Sequence, residues 1–509
     1  RAVTTPPPIA RGPITLSVML ATSMYTLDST IANVALPHMQ GSLSAGLDQI
    51  TWVLTSFIVA QALMTPLVGW VSERIGRRAL MVISIVGFTL SSLACGLAAN
   101  LPQMVVFRII QGLCGAAFVP LSQAILFEIN PPERHPQAMA TFGAGVVLGP
   151  VLGPALGGWI TEQFGWHWVF LINLPVGILA LLGILRFLPE SRSTAPRRFD
   201  FLGFGALALF IAALQLMLDR GPGQGWFESW EVRIEAALVV IGLYVFAVHT
   251  ITAERPFFSR ALLRNWNFAA GIVLSLATGM LMYSTLALLP PMMQNILGYP
   301  VITVGLVTMP RGLGMLVSMM VVGRYIGRTD PRVVLVAGFA MNAAAMWQMS
   351  TSSPQMDAHI IMVSGLLQGL GLGLIFVSSN TLAFATLPGD LRTDGSSVIT
   401  LARSLGSSVG ISLMQAVFMR NLQTSYSVLV QNVRPDNPVF QGQMGGVIDL
   451  GSVQGLSTMA AEVGRQASMV SYVNDFYLSM WLTIVTIPLI LFLKPPRNVA
   501  AGGDHALPD

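Results

Sequence analysis

The sequence consists of long apolar runs separated by short polar loops that are rich in glycine, proline and arginine. Each run reaches about 20 residues, the length that an α-helix needs to cross the hydrocarbon core of a bilayer. Transmembrane barrel strands would instead give segments of about ten alternating residues. We therefore predict an all-α polytopic membrane protein with fourteen transmembrane helices, at residues 14–37, 50–71, 79–98, 103–126, 137–161, 167–188, 201–219, 232–252, 267–290, 301–323, 332–350, 359–383, 396–420 and 471–493.

Composition supports this class. Of the 509 residues, 53% are hydrophobic and only 10% are charged, whereas about a quarter of the residues in a soluble domain are charged. The first apolar run is too long for the core of a signal peptide, so we expect it to remain in the protein as a span.

The positive charge is nearly all arginine, and it lies mostly in alternate loops. The positive-inside rule places these loops, and with them both termini, in the cytoplasm. An even number of spans agrees with termini on one side. Because the arginines are spread over short loops, nucleic acid is not an expected partner.

The chain contains a weak internal repeat. Residues 69–78, after the second run, are similar to residues 323–332 after the tenth, and Gln111-Gly112 in the fourth run matches Gln368-Gly369 in the twelfth. Repeated halves are typical of secondary transporters, whose substrate site lies between them. The predicted organisation is an N-terminal six-helix half (1–190), two inserted helices (191–260), a C-terminal six-helix half (261–495) with a long periplasmic loop (421–469), and a cytoplasmic tail (496–509).

An aspartate, Asp28, lies in the middle of the first apolar run. A carboxylate there costs about 2.5–3.5 kcal/mol on insertion scales, so it normally faces a protein interior or a watery cavity and serves a function. We predict that Asp28 is a proton-coupling carboxylate. Asn33 and Pro37 belong to the same segment, so a structural role, in which Asp28 holds helix ends or neighbouring side chains, remains an alternative.

The fourth run carries an arginine within its apolar sequence. Arg108, Gln111, Gly112 and Gly115 follow the i, i+3, i+4, i+7 spacing of one helix face. Arginine is always charged, but it can change the protonation of a nearby carboxylate by approaching or leaving it. We predict that Arg108 regulates Asp28 in this way; extension of Arg108 to the membrane interface is the alternative.

Two glycine-containing segments are further candidates. The loop after the second run combines glycines, one acid and three arginines, which can form charge-assisted hydrogen bonds and close the cytoplasmic side. The arginines could equally serve topology alone. This predicted cytoplasmic gate comprises Gly69, Glu73, Arg74, Gly76, Arg77 and Arg78.

The fifth run has glycines every four residues and two prolines, which predicts a bent, closely packed contact between the halves. Its residues are Gly145, Gly149, Pro150, Gly153, Pro154, Gly157 and Gly158.

Other charged residues fall in or near the runs. Arg403 begins a spacing similar to that of the fourth run, and Glu235, Arg311 and Asp475 lie nearer span ends, where we expect an interfacial position. Trp166 and Trp168 fit an aromatic belt at the membrane surface. The sequence has no metal-ligand spacing, no nucleophile–base pair and no Walker loop. We therefore expect no enzyme activity, no metal and no cofactor, with a proton gradient as the energy source.

Together these segments resemble the major facilitator superfamily, in its fourteen-span drug:proton antiporter branch of the EmrB/QacA type. Asp28 falls in the first-span signature of that branch, residues 69–78 match the loop motif, 108–115 the fourth-span motif and 145–158 the antiporter motif. The sixth run and residues 217–221 are closer to EmrB-type inner-membrane exporters. Glu73 replaces the usual aspartate of the loop motif, and His167 replaces an arginine of the sixth span.

The resemblance implies a protein of the bacterial inner membrane that exports hydrophobic toxic compounds in exchange for protons, by alternating access. It also implies a periplasmic adaptor (a membrane fusion protein) and an outer-membrane channel as partners. Proton-coupled transport of one specific metabolite or siderophore is the alternative that the residues leave open.

Overall fold

The computed structural model describes residues 11–190, 198–326, 329–433 and 452–492. Within these ranges the secondary structure is helical, without a strand, so the predicted all-α class is confirmed. Short 3₁₀ segments occur at Pro132–Arg134, Trp226–Glu228, Gly389–Leu391 and Ile487–Phe492.

The α-helices divide into three groups along the chain. The N-terminal half contains α1 (Arg11–Ser42), α2 (Leu47–Ile50), α3 (Trp52–Met64), α4 (Leu67–Ile75), α5 (Arg77–Gly96), α6 (Leu101–Gly115), α7 (Phe118–Ile129), α8 (His135–Phe164), α9 (His167–Leu171) and α10 (Asn173–Phe187). The insertion contains α11 (Phe201–Arg220) and α12 (Trp230–Thr252). The C-terminal half contains α13 (Arg260–Arg264), α14 (Trp266–Asn295), α15 (Val301–Tyr325), α16 (Pro331–Ser350), α17 (Ala358–Phe384), α18 (Arg392–Gln431) and α19 (Val453–Thr486).

The described helices do not confirm the count of fourteen spans. Twelve are long and apolar enough to cross a membrane, and α3 with α4 makes a thirteenth if this pair, bent by 60°, is one span. Helix α1 has 32 residues and is long enough, but it is not among the helices that meet the apolarity criterion. Its polar residues, Asp28 among them, lower its hydropathy.

Helix starts follow from local sequence. Asn100 precedes α6 and accepts a hydrogen bond from the backbone N–H of Gln103 over 3.0 Å, and a proline follows in the first turn. Asn265 caps α14 through Phe268 in the same way. Such caps satisfy backbone donors that have no partner within the helix. Gly76 separates α4 from α5 with a φ of 88°, a conformation that favours glycine.

The insertion touches both halves. In α11, Asp219 accepts a hydrogen bond from Thr55 of α3. On the other side, Ser408 of α18 donates to Gln215 over 2.9 Å, and Ser412 donates to the carbonyl of Leu218 over 2.8 Å. Helix α12 packs on α11 and has many exposed apolar side chains. Thus α11 bridges the halves, and α12 covers it from outside.

Helices α18 and α19 are longer than a bilayer requires. At 1.5 Å per residue, the 40 residues of α18 span about 60 Å, twice the roughly 30 Å of a hydrocarbon core. Within the segment predicted as a periplasmic loop (421–469), the described residues 421–431 and 453–469 are helical. Residues 434–451 lie outside the described part, as does the predicted tail 496–509.

Candidate functional site: a buried ion pair beside the central cavity

Asp28 of α1 and Arg108 of α6 form an ion pair inside the N-terminal half. The Arg108 Nη1 and the Asp28 Oδ2 are 2.6 Å apart, and both side chains are 0% exposed. Arg108 is therefore directed into the protein, not toward the membrane interface. The helical spacing of the fourth run places Arg108 and Gln111 on the same inward face, as predicted.

Amide side chains complete the environment of the carboxylate. Gln111 donates from Nε2 to the Asp28 Oδ1 over 2.9 Å, and Asn173 of α10 donates from Nδ2 to the same oxygen over 2.7 Å. Asn173 also donates to the hydroxyl of Ser92 on α5 (2.9 Å). Helices α1, α6 and α10 thus meet at one carboxylate, which has three donors, and α5 contacts this group through Asn173.

Arg108 is held on several sides. Its Nε donates to the carbonyl of Val53 over 3.0 Å, and its Nη1 also donates to the Gln111 Oε1 over 2.8 Å. The guanidinium lies 4.2 Å from the centre of the Phe57 ring and 5.6 Å from that of Phe170. Aromatic faces attract cations. The Nη2 has no hydrogen-bond partner among the described atoms, so one terminal nitrogen of this cation keeps its two N–H groups free.

A cavity of about 300 Å³ lies next to the ion pair, between the two halves. Arg108 contributes to its wall, whereas Asp28 lies behind the wall. The N-terminal half also contributes Asn33, which donates to the carbonyl of Ser29, and the C-terminal half contributes Arg403. The size is at the lower end of small-molecule sites. Further lining residues are Tyr25, Gln61, Gln215, Tyr283, Phe376 and Ser407.

The C-terminal half repeats part of this arrangement without charge. Gln368 of α17 donates from Nε2 to the hydroxyl of Thr285 on α14 over 3.0 Å. Thr285 therefore accepts a hydrogen bond from this glutamine, as Asp28 accepts one from Gln111 in the N-terminal half. Met346 is also within contact distance of Gln368 and Thr285. The repeat that the sequence suggested thus extends to side-chain contacts, but the acid is found in one half.

The segment predicted to be a cytoplasmic gate contacts the C-terminal half through a glycine. A Cβ atom at Gly69 would overlap the carboxylate oxygen of Asp394, which lies in the first turn of α18. Helices α4 and α7 both pack on α18. The rings of Phe127 (α7) and Phe384 (α17) are 5.0 Å apart. The halves are therefore closed against each other at this end.

The arginines of the same segment bind within their own half. Arg77 pairs with Glu128 of α7, and Arg78 donates to the carbonyl of Leu185 over 2.6 Å. Arg74 lies over the ring of Trp70, 5.3 Å from its centre. The contacts of Arg77 and Arg78 hold α5, α7 and α10 together, and that of Arg74 lies within α4. The contact of this segment with the C-terminal half therefore rests on Gly69 and its neighbours. Glu73 is half-buried, and Gly76 forms the turn described above.

The glycine stripe of α8 packs within the N-terminal half. A Cβ at Gly149 would lie 2.5 Å from the backbone N of Leu27, and one at Gly157 would lie 2.7 Å from Ile31. The predicted contact between the halves is therefore wrong for this stripe, because its glycines face α1. The adjacent face of α8 meets α15, where Val151 and Ala155 lie against glycines. The remaining motif positions are Gly145, Gly153, Gly158, Pro154 and Pro150; the side chain of Pro150 is outside the described set.

The other charged candidates are separated from the ion pair. Arg403 lines the cavity from the opposite half. Glu235 lies in the second turn of α12, near the span end as expected, and is 8% exposed. Asp475 is 0% exposed, and because α19 begins at Val453 it lies in the interior of a long helix. Its position at the membrane interface stays a prediction.

Two residues of the site were not among the sequence-based candidates. Asn173 lies in the sixth run, whose tryptophans predicted an aromatic belt. Trp168 is 52% exposed, in agreement with a belt, but Trp166 is 5% exposed. An amide inside an apolar run was the available signal. Asp394 follows a loop and had no local signal. Among the described residues, no group of three or more His, Cys, Asp or Glu side chains could hold a metal ion.

Comparison with known proteins places this geometry in a family. The profile of the Major Facilitator Superfamily matches residues 18–411. The multidrug export protein EmrB of Escherichia coli (strain K12) is 33% identical over 498 residues, with 97% of each chain covered. The probable multidrug resistance protein EmrY of the same strain is 35% identical over 508 residues, which cover 98% of this chain and 99% of the relative. The solved human organic anion transporter MFSD10 superimposes with a TM-score of 0.60 at 17% identity, over 94% of this chain and 100% of that chain.

Proposed function

Because this chain belongs to the major facilitator superfamily, in its EmrB-type group, and is a membrane transporter rather than an enzyme, we propose that it exports hydrophobic, drug-like compounds in exchange for protons. The relatives named above are described as a multidrug export protein and a probable multidrug resistance protein. The observation that carries the proton-exchange part is the fully buried Asp28–Arg108 pair beside the cavity.

Asp28 carries the proton in this proposal. Arg108 is a permanent cation and cannot exchange one, whereas a carboxylate can bind a proton when its cation moves away. In the present arrangement the pair is closed, and the cavity has room for a small molecule. Proton binding to Asp28 would release Arg108, and proton loss would restore the pair. The two states then differ in the packing of α1 against α6.

The exchange is driven by the proton gradient. Inward movement of one charge supplies about 2.3 kcal/mol per 100 mV of membrane potential. Breaking a buried ion pair by removal of one partner costs about 3–5 kcal/mol, and protonation of Asp28 removes part of that cost. No cofactor is needed in this scheme.

Alternating access would use the contact at Gly69. In the arrangement described, α4 and α7 pack on α18 and close the end that carries the arginine-rich segment. Opening toward that end requires these contacts to separate. By the distribution of arginines this end is cytoplasmic, with both termini on the same side, and the membrane is the bacterial inner membrane.

The extended ends of α18 and α19 would form the docking surface for a periplasmic adaptor. They leave several apolar side chains exposed beyond the length of a bilayer, among them Val428 (53%), Val453 (86%) and Leu456 (54%). An adaptor of the membrane-fusion type would link the transporter to an outer-membrane channel. Export across both membranes would then require this surface, whereas transport in vesicles would not.

Transport in proteoliposomes tests the proton-exchange proposal. Wild-type protein should move a hydrophobic dye such as Nile red against its gradient when a pH gradient is imposed, with matching proton movement. Asp28→Asn should remove both. Wild-type-like exchange by a correctly folded Asp28→Asn protein would overturn the role of Asp28. Transport of one metabolite with no movement of dyes would favour the specific-transporter alternative.

A further inference from the structure

The cavity wall of the C-terminal half contains a cation that no described acid balances. Arg403, on α18, lines the cavity and is partly exposed to it. Its Nη2 reaches the Asn380 Oδ1 at 3.5 Å, and its guanidinium lies 4.5 Å from the centre of the Phe376 ring. Neither partner is charged. Its Nε is buried and has no hydrogen-bond partner among the described atoms.

No described acidic side chain compensates the charge of Arg403 inside the cavity. None of the described lining residues is an aspartate or glutamate. Asp28 of the N-terminal half is fully buried behind the wall and is already paired with Arg108. The charged side chains of the wall are Arg108 and Arg403, so its net charge is positive.

A second arginine lies behind the same wall of the central cavity. Arg311, on α15, donates from Nη2 to the carbonyl of Met282 over 2.7 Å. It lines a small adjoining cavity that shares Met282, Leu286 and Met315 with the central cavity. No described carboxylate lies within ion-pair distance of Arg311. Its charge therefore adds to the positive potential that Arg403 creates.

The rest of the wall is suited to an apolar body. Phe57, Ile58 and Phe376 border the space, with methionine and leucine side chains of α14 and α15. A guanidinium binds a carboxylate strongly because its N–H groups match the carboxylate in shape and charge. In a poorly hydrated site, a cation without a partner favours an anion and repels another cation.

We propose that Arg403 binds the acidic head of the substrate, and that the cavity prefers amphiphilic organic acids to uncharged amphiphiles of the same shape. This inference rests on the proposed function and names its substrate class. The carboxylate of the substrate takes the free donors of Arg403, and its apolar chain lies against the aromatic and aliphatic wall. Arg311 strengthens the preference through its charge, without contact.

Equilibrium binding tests this preference directly. The full-length purified protein is titrated with 11-(dansylamino)undecanoic acid and with the primary amide of the same molecule, while dansyl fluorescence is followed. Wild type should bind the acid at least tenfold more tightly than the amide. Arg403→Gln should weaken acid binding to the level of the amide and leave amide binding unchanged, and Arg403→Lys should recover part of the difference.

The matched control is Arg420→Gln, which removes an exposed arginine from the same helix and should leave both affinities unchanged. Equal wild-type affinities for acid and amide would overturn the inference without any variant. An equal loss of affinity for the acid and the amide in a folded Arg403→Gln protein would also overturn the inference.

Dye transport separates this inference from the proposed function. If proton-driven transport of the neutral dye Nile red depends on Asp28 but the acid is not preferred over the amide, the proposed function stands and the assignment of Arg403 fails. If the acid is preferred but no proton-driven transport occurs, the binding site stands and the exchange mechanism fails.

Discussion

Asp28 and Thr285 occupy corresponding positions in the two halves of the molecule. Each accepts a hydrogen bond from the Nε2 of a glutamine that lies 83 residues further along the chain, over 2.9 Å and 3.0 Å respectively. The glutamines, Gln111 and Gln368, both precede a glycine. The halves therefore share a polar contact, and the N-terminal half adds a charge pair to it. Proton exchange is then expected from Asp28 and not from Thr285.

A double-mutant cycle should show strong coupling between Asp28 and Arg108. Asp28→Asn and Arg108→Gln should each lower the free energy of unfolding by about 3–5 kcal/mol, because each leaves one buried charge without its partner. The double variant should lose less than the sum, since it contains neither charge. Thermal unfolding of the purified proteins measures these differences.

The matched control for that cycle is Thr285→Val in the other half. It removes one neutral hydrogen bond, at a cost of about 1 kcal/mol, and should leave proton-dependent dye transport intact. Additive effects of Asp28→Asn and Arg108→Gln would contradict the prediction that the pair acts as a unit.

Gly69→Ala should weaken closure at the arginine-rich end. Alanine normally favours a helix over glycine by about 1 kcal/mol, but here the new Cβ would overlap the Asp394 carboxylate and push α4 away from α18. Cross-linking of Phe127→Cys to Phe384→Cys with a bifunctional thiol reagent should fall in yield, because the centres of the native rings are 5.0 Å apart in the closed arrangement.

Gly205→Ala provides the comparison for Gly69→Ala, because a Cβ at Gly205 of α11 meets nothing within 4 Å. Cross-linking should be unaffected in that variant. An unchanged yield in Gly69→Ala would show that α4 can adjust without opening the contact.

Two glycines of the α8 stripe should respond differently to alanine. At Gly149 the new Cβ would lie 2.5 Å from the backbone of Leu27, which cannot rotate away, so overpacking should destabilise the protein by about 1–3 kcal/mol. At Gly145 the nearest atoms, in Met19 and Ser23, are 3.4 Å away. Thermal unfolding should therefore show Gly145→Ala near wild type. Equal losses at both positions would contradict the close α1–α8 packing.

Asp475→Leu should stabilise the protein. Both carboxylate oxygens of Asp475 are buried without a hydrogen-bond partner among the described atoms, and such a group costs about 1–3 kcal/mol. Its helix neighbours Tyr472 and Phe476 belong to an apolar cluster rich in methionine, so leucine suits the surroundings. A rise of the melting temperature with retained transport is expected. Loss of dye transport in the stabilised protein would instead assign Asp475 to the transport cycle.

The sequence predicted the helices and the ion pair better than the contacts between helices. Asp28 and Arg108 could be matched because a charge inside an apolar run needs a partner, and helical spacing put Gln111 on the same face. The partner of the glycine stripe could not be derived, because its spacing defines a face of α8 but not the helix opposite. Asp394 reaches Gly69 through tertiary packing across the two halves, which no local pattern encodes.

The bridging position of α11 has a kinetic consequence. Its side chains are hydrogen-bonded to α3 on one side and to α18 on the other. In the alternating-access cycle that we propose, the halves rotate relative to each other. Helix α11 can follow one of them, and the bonds to the other must break in each cycle. Each such bond contributes about 1 kcal/mol, equivalent to roughly a fivefold change in rate. In that proposed cycle the insertion sets part of the activation barrier for turnover, and Ser408 and Ser412 are positions where the speed of transport can be changed without alteration of the substrate cavity's charge.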